Sequence, residues 1–170
     1  MRNAGARIAG GEILCFVDAD SRIHVETFNV IERALTGRVV GGATGVALER
    51  WSLGIAVTYA IMVALVWIMR MDTGVVFCRR ADFEAIGGYR EDLPAAEDVM
   101  FLWALRKLGK QRGQRLTRAR KAKAIASMRK FDRYGDWHYL TLMPRALPWL
   151  IRRSRSFEAQ AREYWYSDRR

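Results

Sequence analysis

The sequence holds few cysteines, histidines and prolines. Its two cysteines, Cys15 and Cys78, both fall in apolar, strand-like runs, where a free thiol behaves as a small buried hydrophobe. They share no metal-ligand spacing and are too few for a disulfide framework, which points to a reducing compartment. The two histidines, His24 and His138, have no ligand spacing either. The only three prolines are Pro94, Pro144 and Pro148, so most of the chain is free of that helix breaker. There is no internal repeat, low-complexity tract or nucleic-acid motif. The polar, glycine-containing stretch after Met1 does not read as a signal peptide.

What is present fits one well-cored domain: 170 residues, 51% of them apolar. The net charge of +11 is unevenly spread. Residues 1–101 carry 10 Lys/Arg against 13 Asp/Glu, and residues 102–170 carry 19 against 5. A basic half of this kind meets an anionic partner, whether lipid headgroups, a phosphorylated substrate or nucleic acid. With no nucleic-acid motif beside the charge, the membrane surface or phosphate is favoured.

Hydrophobic periodicity predicts the elements in order. A short helix over 2–10 closes at Gly10 and Gly11, and a continuous apolar run at 13–17 reads as a strand buried on both faces. An amphipathic helix follows at 25–35, with Val25, Phe28, Ile31 and Leu35 on one face. Val39–Leu48 reads as a strand with a glycine bulge, 73–78 as a second apolar strand, and 82–86 as a short helix stopped by Gly87 and Gly88. A loop then carries Pro94. The helix at 97–108 would bury Val99, Leu102, Trp103, Leu105 and Leu108 and cap at Gly109. The basic run 110–123 is either a solvated face or an anion site, and 124–127 a short strand. Segments 136–143 and 145–165 read as helical.

Residues 51–69 contain no charge, are bounded by Arg50 and Arg70, and carry Trp51 and Trp67 near their ends. That is close to the length of a membrane span. A single crossing, however, would put residues 18–20 and everything after Arg70 on opposite sides of the bilayer, so the flanking strands could not share a sheet. A helix that is buried, or that lies in the headgroup plane, keeps the domain whole.

The run at 13–17 leads into Asp18 and Asp20, spaced i, i+2. In open α/β sheets, ligands bind beyond the carboxyl ends of strands. Two hard oxygen ligands there suit Mg²⁺ or Mn²⁺, which in turn suit a diphosphate. On spacing alone, turn formation or helix capping explains the same two residues. A second acidic pair, Glu97 and Asp98, opens a helix, where carboxylates also simply complement the dipole.

The series Arg2-Asn3-x-Gly5-x-x-x-Ala9-x-Gly11-Glu12-Ile13-Leu14-x-Phe16-Val17-Asp18-Ala19-Asp20 resembles the middle of a family 2 glycosyltransferase domain. Gly74-Val75-Val76-Phe77-x-Arg79-Arg80-x-x-Phe83-x-x-Ile86-Gly87-Gly88-Tyr89 resembles that family's acceptor-side block. Ala96-Glu97-Asp98-Val99-x-Phe101 through Arg106-x-Leu108-Gly109 resembles its Glu-Asp block. Ser127-x-Arg129-Lys130-Phe131 is similar to a block of some single-addition members, and the processive Gln-x-x-Arg-Trp pattern is absent.

The resemblance implies an α/β, Rossmann-like mixed sheet flanked by helices, the nucleotide-diphospho-sugar transferase (GT-A) fold. That domain would cover residues 1–143, without the first strand and helix that hold the nucleotide base, and a basic, aromatic helical tail would follow at 144–170. It implies inverting sugar transfer from a nucleotide-diphospho-sugar donor to a glycan or lipid acceptor. Asp20 and Asp18 would hold Mn²⁺ or Mg²⁺, with Arg2, Asn3 and Arg129 also on the donor diphosphate. Asp98 would act as general base, with Glu97 binding the acceptor or orienting the base. Gly74, Gly87 and Gly88 would let backbone approach the acceptor. The uncharged segment 51–69 and the basic tail favour a lipid acceptor and a cytoplasmic location, peripheral at the cytoplasmic face of a membrane. Two other readings are a non-catalytic basic module for phosphate or nucleic acid, and an inactive glycosyltransferase remnant.

Overall fold

The computed structural model describes residues 1–91 and 97–142. The loop around Pro94 and the tail at 144–170, including its expected helix, lie outside the described residues. The elements are α1 (Arg2–Ile8), β1 (Ile13–Phe16), α2 (Thr27–Ala34), β2 (Val39–Leu48), α3 (Leu53–Met69), β3 (Val76–Arg79), α4 (Arg80–Ala85), α5 (Glu97–Gln111), β4 (Arg115–Ala126) and α6 (Arg129–Tyr134). Residues 138–142 are also helical.

The strands form one mixed sheet in the order β1-β3-β2-β4. β3 is antiparallel to both of its neighbours, and β2 and β4 are parallel. It follows that β1, β2 and β4 run the same way, with β2 and β4 continuing past the end of β1. The chain is thus an α/β protein with a mixed sheet flanked by helices, as expected.

Period-two alternation sends successive β3 residues to opposite faces. Val76 and Cys78 join Leu14, Val40, Phe101, Leu102 and Leu105 on the α5 side. Val75 and Phe77 join Ile31, Leu35 and Ala119 under α2. Burial pushes the Cys78 thiol up to about 12 and the Cys15 thiol up to about 11, so both stay protonated and unreactive.

Several sequence expectations are corrected. β1 is not buried on both faces: among the described residues its ladder is to β3 alone, and Leu14 is fully buried while Ile13, Cys15 and Phe16 are half-buried. α2 starts at Thr27, so Val25 falls in the preceding turn. Val25 and Phe28 are exposed, and Ile31 and Leu35 carry the packing. In α5, Phe101, Leu102 and Leu105 form the buried face, and Trp103 points largely to solvent. Gly109 is not a cap but a helix–sheet contact, where a Cβ would lie 2.8 Å from Val40 Cγ1. The helix runs on to Gln111.

The basic run is the largest departure. From Arg115 onward it is not the prelude to a short strand but most of β4, paired along β2, and Arg115, Arg120, Lys121 and Lys123 are exposed, as a solvated face would be. Ala119, Ala122 and Ala124 are buried between the basic side chains and let the strand seat against the sheet. Two of the cations are neutralised locally: Arg112 donates to the buried Asp82 at 2.6 Å, and Arg118 to the buried Asp72 at 2.6 and 2.9 Å.

β2 and β4 pack closely because β2 supplies glycine where β4 crosses it. A Cβ on Gly42 would lie 2.0 Å from the Thr117 carbonyl oxygen. Backbone cannot yield as a side chain does. Gly42→Ala is therefore expected to cost about 1–3 kcal/mol or more, read as a lower urea midpoint. An unchanged midpoint would refute the β2–β4 register.

Candidate functional site

Beyond β1 the chain turns through Asp18, Ala19 and Asp20, and the Ser21 amide donates to the Asp18 carbonyl at 3.0 Å. Both carboxylates are exposed, just beyond the carboxyl end of β1. α1 brings its first turn to the same place. Arg2 donates to Asp18 Oδ1 at 2.7 Å through one nitrogen and to Asp98 Oδ1 through another. One guanidinium thus links the carboxylate loop to the first turn of α5.

The base of the site is held by Asn3 and Tyr89. The Tyr89 amide donates to Asn3 Oδ1 at 2.8 Å, while Asn3 Nδ2 donates to the Tyr89 carbonyl and to Glu91, each at 2.8 Å. This pairing needs the glycine before Tyr89. Gly88 has φ +75°, and a Cβ there would meet Asn3 Oδ1 at 2.8 Å and the Phe83 ring at 2.9 Å. The Tyr89 ring stacks on Phe101 with centroids 4.1 Å apart, and its hydroxyl donates to Asp98 Oδ1 at 3.0 Å. The Arg2 guanidinium lies 5.0 Å from the centre of the same ring.

Burial dominates the electrostatics. It pushes the Asp98 carboxyl above its ordinary 3.8, and Arg2 and the Tyr89 hydroxyl pull it back only in part. Burial also raises the Tyr89 phenol, and the neighbouring Asp98 adds to that. For Arg2, burial acts to remove the charge, but Asp98, Tyr89 and Asp18 outweigh it and hold the guanidinium protonated.

Of the residues singled out from sequence, Arg2, Asn3, Asp18, Gly88 and Asp98 come together here. Asp20 lies on the same loop and pairs at 3.9 Å with Arg129, the first residue of α6. Beside it, burial brings the Lys130 amine down to about 8, with Asp20 opposing the shift. Glu97 is half-buried in the first turn of α5. Gly87 is a turn residue with φ +76° and open space around it. Gly74 sits apart, pressed against β2: a Cβ would lie 2.5 Å from Thr44 Oγ1, and its amide donates to the Thr44 carbonyl at 3.0 Å. Tyr89 and Lys130 were not singled out as site residues. The only sequence signal for either was its position inside a matched block.

Among the described residues, no group of three or more His, Cys, Asp or Glu gathers to hold a metal. Asp18 and Asp20 are two hard, exposed carboxylates on one loop. That donor set fits Mg²⁺ or Mn²⁺ when the ion completes its shell with water and substrate phosphate oxygens. Next to this loop a cavity of about 670 Å³ opens between α3 and the ends of β2 and β4, with Asp18, Asp20, Tyr59, Val66, Lys123 and Lys130 among its walls. Among the described residues no helix is long and apolar enough to cross a membrane. No protein-family model, curated protein or solved structure matches this chain.

Because the folded state raises the Asp98 pKa, it holds that proton more tightly than the unfolded chain does. The stability this contributes is fully present below the unfolded value of about 3.8 and is lost as pH rises through the higher folded value. Denaturant melts from pH 4 to 7 are expected to show wild type losing stability relative to Asp98→Asn as pH rises. A constant difference would mean that burial does not govern this carboxyl.

Proposed function

We propose that this protein transfers a sugar from a nucleotide-diphospho-sugar to an acceptor hydroxyl with inversion, as a family 2-like glycosyltransferase. The observation that carries the reading is the Arg2 bridge. Asp18 and Asp98 come from separate sequence blocks that resemble the donor and catalytic parts of that family, and one guanidinium holds both. The α/β class with a mixed sheet is compatible with it.

In this reading Asp98 is the general base. It takes the acceptor hydroxyl proton as the oxygen bonds to the anomeric carbon, and the bond to the leaving diphosphate breaks with its electron pair. A carboxyl raised by burial is a stronger base than an exposed aspartate, and so nearer the working range of proton transfer. Arg2 and the Tyr89 hydroxyl fix its orientation. Asp20 and Asp18 would hold Mn²⁺ or Mg²⁺, which when bound supplies positive charge to the departing diphosphate. Arg129, beside Asp20, adds positive charge on the donor side.

Calorimetry with UDP-sugars and GDP-sugars, with and without Mn²⁺, tests the reading. Metal-dependent binding is expected, weakened at least tenfold in Asp20→Ala. Absence of binding in a folded sample would instead favour an inactive remnant or a basic phosphate-binding module.

The base assignment has its own test. Arg2 and Tyr89 both favour the ionised form of Asp98. Arg2→Met and Tyr89→Phe are therefore expected to move the acid limb of the kcat/KM profile for donor turnover to higher pH. A limb that stays in place assigns the base elsewhere.

A further inference from the structure

α3 is pinned at both ends and open in between. At its start, Ser52 Oγ accepts from the Ile55 amide at 3.3 Å, and Gly54, Ile55 and Thr58 are buried. The Tyr59 hydroxyl donates to the Val46 carbonyl at 3.2 Å, and Arg106 donates to the Met69 carbonyl at 3.3 Å near the far end. A helix apolar on every side is normally buried on every side. Here Met62 and Val63 line the cavity and are still 40% and 45% exposed. The helix is a fixed apolar wall, and among the described residues none covers its middle.

The opposite wall carries charge. Thr44 pairs with Ala119 and Val46 with Ala124, so four residues of β4, 120–123, stand against Gly45 alone. Bulges re-aim side chains beside functional sites. This one turns Arg120 and Lys123 to the cavity, and the Lys123 stem fills the space that Gly45 leaves open. Arg118, on the same strand, is neutralised by Asp72, whereas Arg120 and Lys123 meet no carboxylate among the described residues. The Asp18–Asp20 loop closes the cavity on the side of the transfer site. The volume, about 670 Å³, is that of a small-molecule site.

We propose that this cavity takes the acceptor as one amphiphile whose anionic, phosphate-like head also carries the accepting hydroxyl. Its hydrocarbon chain lies along α3, and its head lies on the Arg120–Lys123 bulge next to the carboxylate loop. The word acceptor rests on the transferase reading above; the chemistry of the occupant rests only on the two walls. An aqueous sugar or a free phosphate would leave the α3 wall unused, and a neutral lipid would leave the two cations unanswered.

The test is calorimetric binding of dodecyl phosphate below its micelle concentration to the full chain, against dodecanol and inorganic phosphate. Nucleotide-sugar binding is read in the same samples. Dodecyl phosphate is expected to bind one to one and at least tenfold more tightly than either control. Val63→Asp and Lys123→Glu, both at exposed positions, are each expected to weaken it at least tenfold with an unchanged melting transition. Equal binding of dodecanol, or of phosphate, overturns the proposal, and this comparison needs no variant to fold. Binding undiminished in both variants, or confined to anionic vesicles, overturns it as well. Dodecyl phosphate binding without nucleotide-sugar binding supports the occupant and removes the transferase reading, which separates the two failures.

Discussion

Two neighbouring guanidiniums at the end of β3 tie the outer layers to the sheet. Arg79 donates to the carbonyls of Val39, Leu35 and Thr36 at 2.7, 2.5 and 2.9 Å, closing the end of α2. Arg80 donates to the carbonyls of Ala6, Ala9 and Gly11, closing the end of α1 on the other side. The last carbonyls of a helix have no partner within it, and a charged donor satisfies them more strongly than a neutral one. β3 is only four residues long, yet it lies between β1 and β2 and its core residues are almost fully buried. The placement of α1, and so of Arg2 and Asn3, depends on Arg80.

From that anchor the candidate site follows by short steps. α1 delivers Arg2 to Asp18 and Asp98, and Asn3 to the Tyr89 backbone. Phe16, Phe83, Tyr89 and Phe101 form one aromatic cluster under these polar groups. That cluster removes water from beneath Asp98 and raises its pKa while leaving Asp18 exposed. Two carboxylates bound to one arginine therefore sit in different environments. Such a division suits one group to proton transfer and the other to a charged ligand.

On the far side of the carboxylate loop, the same sheet presents a second surface of different chemistry. β4 pairs in parallel with β2 on both sides of its bulge, so the extra residues cannot be absorbed into the ladder and their cations project. α3 covers this region without filling it. The polar site at Asp98 and the apolar wall of α3 share the Asp18–Asp20 loop as their boundary.

Local patterning was sufficient for much of this. The bounds of β2, the start of α5, the short α1 and the uncharged α3 follow from apolar period, glycine and charge placement. So do the two carboxylate pairs, each lying where a strand ends or a helix begins. Other features depended on partners distant in the chain. The basic run became a strand because β2 offers a parallel ladder and the alanines between its charges can be buried. Trp103 faces outward because Phe101, Leu102 and Leu105 already occupy the contact with the sheet. Arg2 and Asp98 are 96 residues apart, and no local period encodes their meeting; the packing of α1 and α5 on one face of the sheet brings it about. By itself the sequence determined which segments want to be helix or strand and where carboxylates end them, because these are short-range preferences. Tertiary structure alone decided which carboxylate is desolvated, which cations are neutralised and which apolar face stays open, because burial is a property of neighbours.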